Sequence, residues 1–449
     1  MNKKFSVLIK NKINKIYKTI TIENDKSISH RALLISSQCI GISRIKGILE
    51  SDDVKNTINC LEKLGVKILK KKGEYIVFGN GLSSFRKPKK NSLYTGNSGT
   101  LTRMLIALIA THPNLKVKIS GDSSLNKRDM SRIIVPLSKI GCTFYPKNRK
   151  ILPLTVEGTS MPLALNHIEN IGSAQVKSAI LLSALNTPGI TTVKEMKISR
   201  DHTENLMKIA KADIKLKKLK KQNLISLRGQ QNLCSMNLEI PGDPSSAAPF
   251  ILLALLTVKS KLVIKNVNCN PTRIGFIKIL KKMKANIKIK NLKKKSGEIV
   301  GDISVKSSRL KPINCPKKLV PFAIDEFPLL FVIAALLRGK SKFSGINELR
   351  HKESDRIKNM EIGLNKIGIK TKSTFDSLTI FGNPNAKLIK MLKIFSKNDH
   401  RIAMSFFCLG QLLEGNIEIE NFETVNTSFS KFLFTMKKIG AKFEIKKKH

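Results

Sequence analysis

A lysine, a serine and an arginine near the N-terminus have the types and the spacing that suit an anion site. Lys26, Ser27 and Arg31 stand just ahead of the apolar residues 32–35, and Asp25 precedes them. A short polar residue followed by a charged turn and apolar residues predicts the start of a core-facing helix. The unpaired N–H groups of a helix start favour a phosphate or a carboxylate. Basic residues near a helix start are also common on solvated helix faces, so both interpretations stay open here.

Similar polar clusters precede the other long apolar runs. They combine small or hydroxyl residues, which let a ligand approach the backbone, with cations or amides that bind anions. The clusters begin near Asn97 (with Gly99 and Arg103), Ser173 (with Gln175), Asp243, Asp325 and Asn398 (with Arg401), and further polar segments contain Arg128, Ser199 and Arg200, and Lys352, Glu353 and Arg356. The spacing of Lys352 and Arg356 predicts that they share one helical face. Capping and salt-bridged turns explain any single cluster, but a series of six goes beyond what capping needs.

Two landmarks recur six times and predict how these clusters are positioned. The first is a helix end followed by a turn and an alternating strand, at intervals of about 70 to 84 residues. Its turn positions are Gly65, Gly141, Lys211, Lys284, Gly368 and Gly440. The second landmark is a nearly all-apolar helix that begins at each polar cluster. If these helices run parallel within each half of the chain, their positive ends converge on one anion site.

The repeats predict an α/β protein with two similar domains of three units each. The helix-breaking residues 241–244 mark the midpoint, and Asp243-Pro244-Ser245 repeats the pattern that begins at Asp25. The predicted domains are residues 25–239, and residues 1–24 together with 240–449. We expect ligands to bind in a cleft between these domains.

Composition limits the class of protein. The 449 residues are 41% hydrophobic, which suits about two globular domains. The apolar runs are shorter than the roughly 20 residues that span a bilayer. There is no apolar leader, and the seven cysteines are scattered without C-x-x-C spacing. These features predict a cytoplasmic protein without a disulfide framework, a zinc site or a secretory signal.

The formal net charge of +50 favours acidic partners, among which nucleic acid is the obvious one. However, the lysines occur in short scattered runs, and no basic stripe alternates with aromatic residues as in single-strand binders. An enrichment in Lys, Ile and Asn suits the bias of an AT-rich genome better than a basic groove. We therefore expect no nucleic-acid partner, and a basic nucleic-acid-binding protein on the same scaffold stays an alternative.

Ten segments, in this order, resemble the 5-enolpyruvylshikimate-3-phosphate synthases of the enolpyruvyl transferase family. The segments are DKSISHRALL, GNSGT-x-x-R, SLNKRDM, SAQVKSA, SRDHTE, PGDPSSA, NPTR, IDEFP, ELRHKESDR and NDHRIAM. The resemblance covers nearly the whole chain and implies the enolpyruvyl transferase fold, with two domains of three βαβαββ units. A relative that acts on a UDP-sugar shares this fold. Its cysteine-containing loop is missing here, where residues 125–128 read LNKR, so it is the second alternative.

The resemblance also implies a reaction. The 5-hydroxyl of shikimate 3-phosphate adds to phosphoenolpyruvate, and the tetrahedral adduct loses phosphate, in the pathway to chorismate and the aromatic amino acids. No cofactor or metal is expected, and the protein is expected to be a monomer. Such chemistry needs cations for two phosphates and a carboxylate, together with an acid and a base.

Matching positions imply the site residues. For shikimate 3-phosphate they are Lys26, Ser27, Arg31, Ser173, Gln175, Ser199, Arg200, Asp325 and Lys352. For phosphoenolpyruvate they are Lys26, Asn97, Gly99, Arg128, Gln175, Arg356 and Arg401. Asp325 matches the acceptor of the 5-hydroxyl proton, and Glu353 and Lys26 are candidates for proton transfer at C3. Gly99 stands where glyphosate-resistant relatives carry alanine, so we expect sensitivity to glyphosate.

Some positions depart from the family pattern. Family members usually carry Pro-Gly at the positions of Glu23-Asn24, proline at Asp129 and proline at Ser430, and some carry lysine at Thr427. An acid and a bulkier turn therefore precede the first anion cluster. Because the other charged positions match, we expect activity with weakened affinity.

Overall fold

The computed structural model describes residues 4–219, 222–388 and 390–447 of the chain. Within these ranges the α-helices are α1 (Lys26–Ser36), α2 (Asp52–Lys63), α3 (Gly99–Ala110), α4 (Ser131–Ile140), α5 (Ala174–Ala184), α6 (His202–Ile209), α7 (Pro244–Leu256), α8 (Gly275–Lys282), α9 (Phe327–Ala335), α10 (Arg356–Lys366), α11 (His400–Gly410) and α12 (Phe432–Lys438). Short 3-10 helices cover Leu125–Lys127, Lys317–Phe322, Asn347–His351 and Phe422–Thr427. No described helix is long and apolar enough to cross a membrane.

The strands are short and follow the same recurring order. In chain order they are β1 (Phe5–Ile9), β2 (Tyr17–Ile20), β3 (Ile40–Lys46), β4 (Lys67–Lys71), β5 (Glu74–Asn80), β6 (Ser92–Tyr94), β7 (Lys116–Ser120), β8 (Thr143–Tyr145), β9 (Leu154–Glu157), β10 (Asn166–Glu169), β11 (Ile190–Glu195), β12 (Ile214–Lys218), β13 (Asn223–Arg228), β14 (Asn237–Glu239), β15 (Lys261–Asn268), β16 (Asn286–Lys295), β17 (Glu298–Lys306), β18 (Gly339–Ser344), β19 (Thr371–Ser373), β20 (Ser377–Gly382), β21 (Leu392–Phe395), β22 (Ile417–Glu420) and β23 (Glu444–Lys447).

The described strands form six small sheets with one shared pattern. Five sheets have four strands, in the orders β14-β3-β5-β4, β6-β7-β9-β8, β10-β11-β13-β12, β16-β17-β15-β2 and β21-β22-β1-β23. In each of the five, an edge strand pairs in parallel with its neighbour, and that neighbour pairs antiparallel with the next strand. For example, β10 pairs parallel with β11, which pairs antiparallel with β13. The sixth sheet, β18-β20-β19, has three strands, and a parallel bridge from Asn314 to Lys342 stands in place of the fourth. The predicted sixfold α/β repeat is confirmed.

The odd-numbered helices are the predicted apolar ones, and they are buried along most of their length. All nine residues of α9 are buried, for example, and in α3 only Thr100 and Arg103 have partial exposure. The even-numbered helices are amphipathic: apolar residues on one face pack against the core, and polar or charged residues lie on the exposed face. A helix that is apolar all round must lie inside the core, so each buried helix fixes its polar first turn relative to its neighbours.

The six predicted turn positions all have left-handed backbone conformations. The φ angles are 89° at Gly65, 113° at Gly141, 62° at Lys211, 70° at Lys284, 75° at Gly368 and 97° at Gly440. Glycine adopts such angles without steric strain, which explains its use at four of these helix ends. The turn prediction is confirmed at all six positions.

The chain forms two compact units. The N-terminal unit comprises Asn24–Pro241 and Lys294–Glu298, and the C-terminal unit comprises the residues up to Glu23, Gly242–Lys293 and the residues from Ile299 onward. Each unit has its own continuous hydrophobic core, which surrounds α1, α3 and α5 in the N-terminal unit and α7, α9 and α11 in the C-terminal unit.

Candidate functional site

The three buried helices of the N-terminal unit each begin at a side chain that accepts a backbone hydrogen bond. Asp25 accepts from the N–H of Ile28 at 3.0 Å, Ser98 from Leu101 at 3.2 Å and Ser173 from Val176 at 3.3 Å. These short polar residues satisfy one N–H of each first turn. The sequence-predicted helix starts at these three places are confirmed.

Side chains bring these helix starts together. Arg103 Nη1 of α3 donates to Gln175 Oε1 of α5 at 2.8 Å, and Gln175 Nε2 donates to Thr100 Oγ1 at 3.0 Å. Arg31 Nη2 of α1 donates to Ser178 Oγ of α5 at 3.0 Å. Each contact joins first or second turns, so the positive ends of the three helices lie near one another, as the repeat pattern predicts.

The residues of this unit that are predicted to bind anions are held in place by polar partners. Lys26 Nζ lies 3.0 Å from Asp53 Oδ2. Arg128 Nη2 donates to Asn97 Oδ1 at 2.6 Å, and Asn97 Nδ2 donates to Asp122 Oδ2 at 2.6 Å. These bonds fix the direction of two cations before any ligand arrives, which lowers the entropy lost on binding.

Arg103 was singled out in the sequence but was assigned to neither substrate, and the structure places it among the residues that were. Its Nη1 also donates to the carbonyl oxygen of Gly99 at 3.2 Å, and a Cβ placed on Gly99 would lie 2.6 Å from that same nitrogen. Arg103 therefore lies directly against a position assigned to phosphoenolpyruvate. The signal was present in the sequence, because Arg103 stands one helical turn after Gly99.

His30 lies between Thr57 and Ser98 and is fully buried. Its Nδ1 lies 2.6 Å from Thr57 Oγ1, and its Nε2 lies 3.4 Å from Ser98 Oγ. Burial, and then the charges of Lys26 and Arg31, hold the pKa of His30 well below its ordinary value. The ring is therefore neutral at pH 7 and links the starts of α1 and α3 without adding charge.

In the C-terminal unit, the starts of α7, α9 and α11 are joined in a similar way. Asp243 accepts from the N–H of Ser245 at 2.8 Å, and the Ser245 hydroxyl donates to Glu326, the residue before α9. Asp399 accepts from the N–H of Arg401 at 2.9 Å, and Arg401 Nη1 donates to the carbonyl oxygen of Ser245 at 3.3 Å.

Arg356 is the centre of the charged cluster in this unit. Its side chain is 1% exposed and contacts three carboxylates: Asp399 at 2.9 Å, Asp325 at 3.5 Å, and Glu353. Burial by itself would lower the pKa of Arg356, but the three carboxylates outweigh it and raise the pKa above its ordinary value. Lys352 Nζ lies 3.4 Å from Asp325 Oδ1, so two cations flank this predicted proton acceptor.

One local prediction about this cluster is wrong. Lys352 and Arg356 do not share a helical face. Lys352 is the residue after the 3-10 helix Asn347–His351, and α10 begins only at Arg356. Asp355 accepts from the N–H of Lys358 at 2.9 Å and caps α10 there. Lys352 and Arg356 nevertheless contact the same carboxylate oxygen of Asp325.

The predicted site residues fall into two groups. Lys26, Ser27, Arg31, Asn97, Gly99, Arg128, Ser173, Gln175, Ser199 and Arg200 lie in the N-terminal unit, and Asp325, Lys352, Glu353, Arg356 and Arg401 lie in the C-terminal unit. We call these sets the N-terminal cluster and the C-terminal cluster. The first offers cations, hydroxyls and amides, which suit anion binding. The second adds carboxylates beside cations, which suit proton transfer next to an anion.

The departures from the family pattern have local partners. Asn24 Nδ2 donates to the carbonyl oxygen of Gly47 at 2.6 Å. The carboxylate of Asp129 accepts from the N–H of Ser131 at 2.9 Å and from its hydroxyl at 2.5 Å, at the start of α4. The Thr427 hydroxyl donates to the carbonyl oxygen of Thr424 at 2.8 Å.

Comparisons with known proteins cover almost the whole chain. The family model for EPSP synthase (3-phosphoshikimate 1-carboxyvinyltransferase) matches residues 10–436. The chain is 42% identical over 430 residues to the 3-phosphoshikimate 1-carboxyvinyltransferase of Zymomonas mobilis, covering 95% of this chain and 94% of that protein. It is 43% identical over 423 residues to the enzyme of that name from Petrotoga mobilis, covering 94% and 96%.

A solved structure agrees with these sequence matches. The EPSP synthase of Acinetobacter baumannii superposes with a TM-score of 0.84 at 35% identity, covering 99% of this chain and all of that one. The match confirms the fold class that the repeats and the motifs predict. A family model that spans the chain, full-length relatives and a shared fold together identify the chain as a member of the EPSP synthase family.

Proposed function

We propose that this chain transfers the enolpyruvyl group of phosphoenolpyruvate to the 5-hydroxyl of shikimate 3-phosphate and releases phosphate. The observation that carries the proposal is the Asp325 carboxylate, held 3.4 Å from Lys352 and 3.5 Å from Arg356 in a chain of this family. A carboxylate fixed between two cations can take the hydroxyl proton of an anionic substrate that those cations attract.

The reaction divides into an addition and an elimination. In the addition, the oxygen of the 5-hydroxyl bonds to C2 of phosphoenolpyruvate while Asp325 accepts the hydroxyl proton. C3 of phosphoenolpyruvate gains a proton in the same step. Glu353 and Lys26 are the candidates for supplying that proton. In the elimination, C3 loses a proton and phosphate leaves C2, which yields the enolpyruvyl ether. The residues need to supply only positioning, charge and proton transfer.

Each cluster has a part in this scheme. Lys26, Ser27, Arg31, Ser173, Gln175, Ser199, Arg200, Asp325 and Lys352 are proposed to bind shikimate 3-phosphate, and Lys26, Asn97, Gly99, Arg128, Gln175, Arg356 and Arg401 to bind phosphoenolpyruvate. Support comes from the converging helix starts and the fixed cations within each unit. That the two clusters act on the same substrates stays a prediction. We further propose a monomer that acts in the cytoplasm.

Phosphate release from phosphoenolpyruvate tests the function. We expect release by the unaltered protein only when shikimate 3-phosphate is also present. Asp325→Ala should lower kcat by about a hundredfold or more, since general-base catalysis contributes about that much. Glu353→Gln should also lower kcat, whereas Glu414→Gln, at an exposed surface ion pair of the C-terminal unit, should not.

Three outcomes would contradict the proposal. Release without shikimate 3-phosphate would mean that a different reaction occurs. Release only with a UDP-sugar would assign the chain to the alternative acceptor. No loss of activity in Asp325→Ala would remove Asp325 from the role of base.

A further inference from the structure

Two buried glutamates lie side by side at the ends of neighbouring parallel strands in the N-terminal unit. Glu169 ends β10 and Glu195 ends β11, and they are register partners in the parallel pairing of these strands. Their exposed fractions are 4% and 0%. Buried acids are costly unless they are paired, so two of them in one place call for an explanation.

Glu169 stabilises the loop that leads to α5 by accepting hydrogen bonds from its backbone. Its Oε1 accepts hydrogen bonds from the backbone N–H groups of Ile171 at 2.9 Å, Gly172 at 3.1 Å and Ser173 at 3.3 Å. Burial favours a raised pKa, but His167 and these N–H groups outweigh it and hold the pKa of Glu169 below its ordinary value. The ionised carboxylate therefore sets where Ser173 begins the helix.

Glu195 does the same for the loop that leads to α6. Its Oε1 accepts from the N–H of Ser199 at 2.9 Å and from the Ser199 hydroxyl at 2.5 Å, and its Oε2 accepts from Asn223 Nδ2 at 3.2 Å. The hydroxyl hydrogen of Ser199 is thus used within the protein. Ser199 keeps only lone pairs for a ligand, and Arg200 is the next residue.

A buried lysine lies between two carboxylates beneath these loops. Lys177 of α5 is 0% exposed, and its Nζ lies 2.8 Å from Glu195 Oε1 and 2.7 Å from Glu204 Oε1. Next to this ion pair, the Ser178 and Thr203 hydroxyls lie 2.6 Å apart, and Thr203 accepts from Arg31 Nε at 2.9 Å. These two hydroxyls therefore orient Arg31, one of the residues proposed to bind shikimate 3-phosphate.

We propose that Glu169 and Glu195 are positioning residues for shikimate 3-phosphate. Each carboxylate shapes one loop: Glu169 the loop that presents Ser173, and Glu195 the loop that presents Ser199 and Arg200. Lys177 supplies the positive charge that keeps Glu195 from repelling the substrate phosphate. The inference rests on the proposed function and refines it: Ser199 contributes to the shikimate 3-phosphate site by anchoring the loop through its hydroxyl bond to Glu195.

The role of Ser199 makes the inference testable. If Ser199 acts only through Glu195, then Ser199→Ala removes, and Glu195→Gln weakens, the bond between the Ser199 hydroxyl and the Glu195 carboxylate. Each variant should raise KM for shikimate 3-phosphate by about tenfold, the loss expected for one hydrogen bond to a charged group. The double variant should also raise KM for shikimate 3-phosphate by about tenfold and not by a hundredfold, because both substitutions act on the same hydrogen bond.

Steady-state kinetics of both substrates provides the measurement. KM for phosphoenolpyruvate should change less than about twofold in these variants, since no contact of Asn97 or Arg128 is altered. Glu195→Gln leaves Lys177 paired with Glu204, so the variant keeps a neutral buried pair and is expected to fold. Glu157→Gln, at an exposed position of β9, is the matched control and should leave both KM values unchanged.

The contradicting outcomes are distinct. An additive, hundredfold effect in the double variant would mean that Ser199 contacts the substrate independently of Glu195. Equal rises in both KM values with a lowered Tm would mean a purely structural role for Glu195. Unchanged KM values in both single variants would remove the inference while leaving the proposed function intact. An unaltered protein that is inactive with both substrates would refute the function and this inference together.

Discussion

The carboxylate of Glu23 accepts a hydrogen bond from the Ser430 hydroxyl at 2.8 Å and one from the N–H of Lys431 at 3.1 Å. Both Glu23 and Ser430 stand where relatives in this family usually carry proline. A proline at position 430 would have no hydroxyl to donate, and a proline at position 23 would have no carboxylate to accept. The two departures are therefore coupled, and the Glu23 carboxylate is used at the start of α12.

This coupling predicts a non-additive effect on stability. Glu23→Gln and Ser430→Ala should each lower the free energy of unfolding by about 0.5 to 1.5 kcal/mol, the usual value of one net hydrogen bond. In the double variant the losses should be less than additive, because both substitutions affect the bond between the Ser430 hydroxyl and Glu23. Urea denaturation of the four proteins measures the coupling. Fully additive losses would contradict it.

Gly99→Ala should weaken the binding of phosphoenolpyruvate. The added Cβ would lie 2.6 Å from Arg103 Nη1 and 3.3 Å from Arg128 Nη1, so at least the arginine at 103 must shift. We expect a rise of about tenfold in KM for phosphoenolpyruvate, as for the loss of one charged hydrogen bond. Inhibition by glyphosate should weaken as well. Inhibition constants for both proteins check this, and unchanged inhibition would contradict the expected glyphosate sensitivity.

Arg356→Met should destabilise the protein strongly. The substitution leaves Asp399, which is 0% exposed, without its buried counter-charge. Removing one partner of a buried ion pair costs about 3 to 5 kcal/mol. Arg228→Met is the control, because its pair with Asp213 is exposed and should cost less than about 1 kcal/mol. Chemical denaturation that gives equal losses for both variants would contradict the prediction.

His30 should make the stability depend on pH. The pKa of His30 is lowered in the fold by burial and by Lys26 and Arg31, whereas the unfolded chain has the ordinary value of 6.5. Below pH 6.5 the unfolded state therefore binds a proton that the folded state does not. The free energy of unfolding should fall as the pH drops below 6.5, by up to about 1.4 kcal/mol per pH unit from this group.

Comparison with a variant isolates this contribution. His30→Gln should lose part of the acid sensitivity between pH 6.5 and pH 5, whereas His351→Gln, at an exposed position, should keep all of it. The measurement is urea denaturation at several pH values. Parallel pH profiles for the unaltered protein and His30→Gln would show that His30 does not contribute.

Salt should slow the capture of the proposed substrates. The net charge of +50 produces a positive field that attracts anions, and salt screens it over about 10 Å at 0.1 M. We expect kcat/KM to fall by about tenfold or more between low and high ionic strength, while kcat changes less. A value of kcat/KM that is independent of salt would contradict electrostatic capture.

The fold was predictable from the sequence where its signals are local. An apolar helix flanked by Asp25 or Ser173, and a turn such as Gly65, each depend on a few consecutive residues. Six repetitions of such signals identify the architecture with little ambiguity. The prediction for Lys352 and Arg356 was wrong for a similarly local reason, because Asp355 caps α10 and starts a new helix between them.

The charged network beneath the loops was not predictable. Lys177 follows Gln175 in a helix start that has no acidic residue nearby in sequence, and its partners come from a strand end and from another helix. The pairing of Glu169 with Glu195 depends on the register of β10 and β11, which short strands do not specify by pattern alone. Motif transfer proposed the residues that contact ligands, whereas only the structure shows which side chains hold them in place.

The equivalent turns of the six repeats differ in one respect that bears on evolution. Four use glycine, but Lys211 and Lys284 adopt φ angles of 62° and 70° with a side chain, which costs about 1 kcal/mol or more at each position. These two turns therefore carry backbone strain that the four glycine turns avoid. Because the other four repeats place glycine at this turn, Lys211→Gly and Lys284→Gly are substitutions that would make the protein more heat-resistant by relieving that strain.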